Sequence, residues 1–68
     1  MITMTINGKE TALPESLQTM EDILTYYDLD PQAVVVERNG EIVAREQLAA
    51  VDAEEGDMLE IVEFVGGG

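Results

Sequence analysis

Residues 2–13 read Ile2-Thr3-Met4-Thr5-Ile6-Asn7-Gly8-Lys9-Glu10-Thr11-Ala12-Leu13, and the fold is decided in this stretch. Ile2, Met4 and Ile6 alternate with Thr3 and Thr5, the period-two pattern of a half-buried strand made of good strand formers. Asn7-Gly8 supplies the two positive-φ positions of a type I′ turn, so residues 9–13 return as an antiparallel partner. The chain opens with a hairpin that has one apolar face to cover.

The cover follows at once. Pro14-Glu15-Ser16 breaks the strand pattern, and Thr19-Met20-Glu21-Asp22 resembles a capping box with Asp in place of Glu. Met20, Ile23, Leu24 and Tyr27 then recur at i, i+3, i+4 and i+7, a single apolar stripe opposed by Glu21, Asp22 and Thr25. Asp28-Leu29-Asp30-Pro31 is expected to end this helix, because the residue before a proline is driven out of the α region and proline lacks a donor.

Residues 33–38 contain the β-branched run Val34-Val35-Val36, Asn39-Gly40 is a second hairpin signal, and residues 41–44 form a short return strand. Residues 45–48 fit a single helical turn, and residues 49–56 read as an acidic connection. A last strand covers residues 58–65, with Leu59 and Ile61 on one face and Met58, Glu60, Val62 and Phe64 on the other. The order β-β-α-β-β-β lets the first and last strands lie side by side in parallel, which needs a crossover of a dozen or more residues between them. The predicted class is α+β: a β-grasp body over residues 1–65, its mixed sheet covered on one face by the helix and open on the other, followed by a flexible glycine tail, residues 66–68.

Composition limits what this body can do. Sixty-eight residues make one small domain. Fifteen acidic residues against Lys9, Arg38 and Arg45 give a net charge of −12, which argues against nucleic acid and anionic membranes and favours a basic protein partner. No cysteine and no histidine are present, so a disulfide framework, a thiolate metal site, a Cys nucleophile and the commonest general base are all excluded. Neither catalysis by the chain alone nor a bound metal is expected. No apolar run approaches the roughly 20 residues of a membrane span, and residues 1–9 lack the pattern of a signal peptide. A cytoplasmic location is therefore expected. A chain this short can spare little core for a pocket, which places the functional site on the outside.

Gly66-Gly67-Gly68 follows directly from a strand. One reading is a frayed terminus. The other starts from what glycine does: without Cβ it passes through a channel too narrow for side chains, and three residues extend about 10 Å. The α-carboxylate of Gly68 can then enter a partner's active site while the body stays outside. A carboxylate is a poor electrophile, so the partner must activate it, and this chain is the group that is modified.

Taken together, Ile6-Asn7-Gly8-Lys9, Val36-Glu37-Arg38-Asn39-Gly40-Glu41-Ile42-Val43, Arg45-Glu46, and Gly56-Asp57 leading into Glu60-Ile61-Val62-Glu63-Phe64-Val65-Gly66-Gly67-Gly68 resemble the ThiS family. These are the ubiquitin-like sulfur carriers of thiamine (thiazole) biosynthesis. The resemblance covers essentially the whole chain and implies a mechanism. A ThiF-like adenylating enzyme uses MgATP to adenylate the carboxylate of Gly68. A persulfide sulfur donor then replaces AMP to leave a thiocarboxylate, and a ThiG-like thiazole synthase receives the sulfur. Gly66 and Gly67 form the slender tail, and the carrier binds no cofactor of its own. Ala44 stands where many members have proline, a departure that bears on a turn and not on the tail.

On the open face, Val62 and Phe64, with Val65 at the strand exit, are the candidate docking residues, and Glu60 and Glu63 are placed to steer a basic surface. Asp28 and Asp30 fit turn and helix-end duty. Asp52, Glu54, Glu55 and Asp57 read as a solvated loop, with a weak divalent-ion site as the alternative. Tyr26 and Tyr27 read as core and flank of the helix, and Arg38 and Arg45 as partners of neighbouring carboxylates. Competing functions are a molybdopterin synthase small-subunit carrier, a ubiquitin-like modifier of lysines, and a passive β-grasp binding module.

Overall fold

In the computed structural model, residues 1–64 are described. Val65, Gly66, Gly67 and Gly68, to which the sequence assigns docking, tail and modification roles, lie outside the described residues.

The opening hairpin is β1 (Ile2–Ile6) and β2 (Lys9–Leu13), in register from Ile2 opposite Leu13 to Ile6 opposite Lys9. Asn7 and Gly8 both have positive φ, +51° and +80°, as the Asn-Gly turn requires. The helix α1 (Met20–Tyr26) starts at a true capping box: Thr19 Oγ1 accepts from the Asp22 N–H at 3.2 Å, and Asp22 Oδ2 accepts from the Thr19 N–H at 3.2 Å. After a 3₁₀ turn (Pro31–Ala33) come β3 (Val34–Arg38) and β4 (Glu41–Val43), then a second 3₁₀ turn (Arg45–Gln47) and β5 (Met58–Glu63). The sheet order is β2-β1-β5-β3-β4. β1 and β5 are parallel at its centre, and every other pair is antiparallel. This is the predicted β-grasp arrangement, with the helix on one face.

The helix stops for a different reason than the proline. Asp28 adopts φ +59°, its N–H donates to the Thr25 carbonyl at 3.0 Å, and the Leu29 N–H donates to the Leu24 carbonyl at 2.8 Å. That pair of bonds is a Schellman motif with aspartate in the left-handed position usually held by glycine. Pro31 instead opens the 3₁₀ turn, capped by Asp30, whose Oδ1 accepts from the Gln32 N–H. The early stop removes Tyr27 from the apolar stripe: it is the helix cap, 40% exposed, and stacks edge-on against exposed Tyr26. Neither tyrosine is core.

The core joins Met4 and Leu13 of the hairpin, Met20, Ile23 and Leu24 of the helix, Val34 and Val36 of β3, Leu59 of β5, and Leu48. Leu48 shows that the connection after β4 is more than an acidic spacer. Its carbonyl accepts from the Glu21 N–H, and that of Val51 from the Met20 N–H, both at 3.0 Å. The connection thus satisfies donors that a helix start leaves without partners. Strand ends are shorter than expected: Ala33 belongs to the 3₁₀ turn, β4 stops at Val43 and β5 at Glu63. Among the described residues no helix is long and apolar enough to cross a membrane.

Candidate functional site

The site is built around β5, because the chain's terminal glycines follow it. Strand alternation sends Leu59 and Ile61 to the helix side, the former fully buried and the latter packed against the core, and Met58, Glu60 and Val62 to the open side. Phe64 continues that pattern. Its N–H donates to the Ala33 carbonyl at 3.0 Å, so main-chain bonding runs to the last described residue. The last described residue is thus fastened to the turn that leads into β3.

The candidate docking residues Val62 and Phe64 are 58% and 45% exposed. They are not alone. Val35 lies directly across from Val62, Ile42 is 71% exposed across from Glu37, and Met58 is exposed across from Thr5. The open face therefore carries a group of apolar side chains running toward the strand exit, larger than the sequence pointed to. Val35 was hidden because it sits between the buried Val34 and Val36, where residue type does not alternate although burial does. Of the two steering carboxylates, Glu60 lies on this face, directly opposite Glu37. Glu63 alternates to the helix side, because strand period sends it with Leu59 and Ile61.

Two asparagines hold β5 from its flanks. Asn39 accepts from the Met58 N–H through Oδ1 at 2.9 Å, and its main-chain N–H donates to the Met58 carbonyl at 2.8 Å. Asn7 takes the Ile61 peptide: its Oδ1 accepts from the Ile61 N–H at 2.7 Å, and its Nδ2 donates to the Ile61 carbonyl at 3.1 Å. The Asn-Gly pairs were legible as turns. Their second use, as side-chain clamps on a distant strand, left no sequence signal.

Asp57 corrects the reading of the acidic loop. It is 4% exposed, accepting from Arg38 Nε at 2.9 Å, Asn39 Nδ2 at 3.1 Å and the Glu54 N–H at 2.9 Å. Burial pushes its carboxyl up, but the bonds from Arg38, Glu54 and Asn39 outweigh burial and hold it below the usual carboxylate range. Asp57 is a structural bolt at the head of β5. Glu55 likewise fixes the loop, its Oε1 accepting from the Thr3 N–H at 2.8 Å. Arg38 pairs with carboxylates as expected, whereas Arg45 donates to the Pro31 carbonyl at 3.4 Å. Among the described residues, no group of three or more His, Cys, Asp or Glu side chains is placed to hold a metal ion.

The described residues offer an exposed apolar face continuous with a pinned strand. The profile of the ThiS family matches residues 2–68. The sulfur carrier protein ThiS of Bacillus subtilis (strain 168) is 41% identical over 63 residues, covering 93% of this chain and 96% of that protein. A thiazole synthase of Paramagnetospirillum magneticum is 45% identical over 65 residues, 96% of this chain but 20% of that much longer protein. The crystal structure of the thiamine biosynthesis protein (ThiS) from Geobacter metallireducens superposes with a TM-score of 0.82 at 30% identity, covering 98% of this chain and 100% of that one. With its β-grasp body and a profile match that runs through the terminal glycines, the chain belongs to the ThiS family of ubiquitin-like sulfur carriers, proteins that serve as co-substrates rather than as catalysts.

Proposed function

We propose that this carrier takes up sulfur on the carboxylate of Gly68 through an activating enzyme of the ThiF type and hands it to a thiazole synthase of the ThiG type. The observation that carries this reading is the continuity of the open face with β5: Val35, Val62 and Phe64 lead to the point where the Phe64 N–H is fixed to Ala33, one residue before Val65. A partner that grips this face meets the end of β5, from which the tail departs, at a fixed place.

In the first step an oxygen of the Gly68 carboxylate attacks the α-phosphorus of ATP on the activating enzyme and pyrophosphate leaves. A persulfide sulfur then attacks the acyl carbon and AMP leaves. A partner thiol cleaves the resulting sulfur–sulfur bond, which leaves the thiocarboxylate. MgATP is the activating enzyme's substrate. The carrier has no cysteine, so it cannot hold the sulfur as a persulfide of its own, and a carboxylate takes that role. The occurrence of a segment like this chain within a thiazole synthase polypeptide supports thiazole formation as the destination.

Intact-protein mass spectrometry after incubation with the activating enzyme, MgATP and a persulfide donor tests the reading. Exchange of one oxygen for sulfur at Gly68 is expected. Deletion of Gly67 and Gly68 should abolish the exchange while leaving fold and docking intact. An unmodified mass with a competent activator would overturn it.

A further inference from the structure

We propose that Asn7 is a positioning residue for the tail chemistry, an inference that rests on the function proposed above. Even-numbered residues of β5 bond toward β3, as the Asn39–Met58 and Phe64–Ala33 bonds show, while odd-numbered Asp57 and Leu59 accept from Thr5 and Asn7 on the β1 side. β1 pairs with β5 only at Thr5–Met58 and Ile6–Leu59, and then turns away at Asn7-Gly8. Among the described residues, no strand stands on that side beyond Leu59. There the side chain of Asn7 substitutes for one, closing on both the N–H and the carbonyl of Ile61.

Without this clamp, the described main-chain hydrogen bonds of residues 60–64 run to the β3 side alone, and the end of β5 can pivot about that ladder. A tilt at that end moves the point from which the tail departs, and a productive constellation tolerates displacements of only about 0.5 Å. A misplacement of about 1 Å can cost on the order of a hundredfold in rate. Asn7 therefore acts on where the carboxylate arrives, and not on whether the body docks.

Asn39 is the internal control. It has the same φ of +51°, also precedes a glycine, and clamps β5 at its head instead of its exit. The test measures ATP–pyrophosphate exchange by the activating enzyme over a range of concentrations of the full-length carrier. Asn7→Gly keeps the positive-φ backbone and removes the clamp. It is expected to lower kcat about tenfold with KM within about twofold, while the Ile61 amide exchanges hydrogen faster. Asn39→Gly is expected to lower the melting temperature as Asn7→Gly does but to leave kcat and KM within about twofold. Asn7→Asp keeps the turn and the acceptor for the Ile61 N–H, and should fall between wild type and Asn7→Gly. An unchanged kcat for Asn7→Gly, an effect confined to KM, or an equal loss of kcat in Asn39→Gly would each overturn the inference. Absence of exchange with the wild-type carrier would instead overturn the functional reading on which it rests.

Discussion

Asp57, buried at the head of β5, holds the guanidinium of Arg38 with its Oδ2 2.9 Å from Nε. Removing one partner of such a pair strands the other's hydrogen-bonding capacity. Asp57→Ala should cost about 2–4 kcal/mol in urea unfolding at neutral pH. That is a large share of the roughly 3–10 kcal/mol that a chain of this size holds.

The same carboxylate sets a pH dependence. Its folded-state pKa lies below the ordinary value, so the unfolded chain takes up the proton first. The stability it contributes is fully present above about pH 4 and is lost as pH falls through the folded value. The urea-stability difference between wild type and Asp57→Asn should be flat from about pH 6 to 8 and should shrink below about pH 4.

Phe64 combines exposure with a pinned main chain. Phe64→Ala is expected to weaken association with the activating enzyme by about 1–3 kcal/mol in isothermal calorimetry. The melting temperature should stay nearly unchanged, because the side chain is outside the core.

Glu37 and Glu60 face each other across β3 and β5, and like charges so placed destabilise a sheet by about 0.2–1 kcal/mol. Glu60→Gln should raise stability by that amount. Under the proposed docking on a basic partner it should also slow association at low salt, with the difference fading above about 0.5 M salt, where the screening length drops to a few ångströms.

Asp28 occupies the left-handed position that closes α1. Asp28→Gly relieves the Cβ penalty there and should stabilise by about 0.5–1 kcal/mol. Differential scanning calorimetry should register a rise of about 2–8 °C.

What could be read from the chain and what could not divide along a physical line. The two hairpins and the capping box are local: Asn7-Gly8, Asn39-Gly40 and Thr19 with Asp22 carry their instructions within a few residues, and all three formed as expected. Tyr27 continued the helical period, yet Asp28 ended the helix first, a contest that apolar spacing does not register. Asp57 looked like its solvated neighbours because its partner Arg38 lies 19 residues earlier and meets it only after the sheet has assembled. The exposed Val35 and the reach of Asn7 to Ile61 likewise exist only once strands distant in the chain are side by side.

The central place of β5 also has a mechanical meaning. A partner that draws the C-terminus inward pulls along the axis of this strand. Its ladder to β3 lies across that pull, and its bonds to β1 and Asn7 brace the other flank. Load is then borne by many bonds in shear instead of opening them one at a time, as peeling a strand at the sheet edge would. The domain can be hauled by its reactive end without the sheet coming apart.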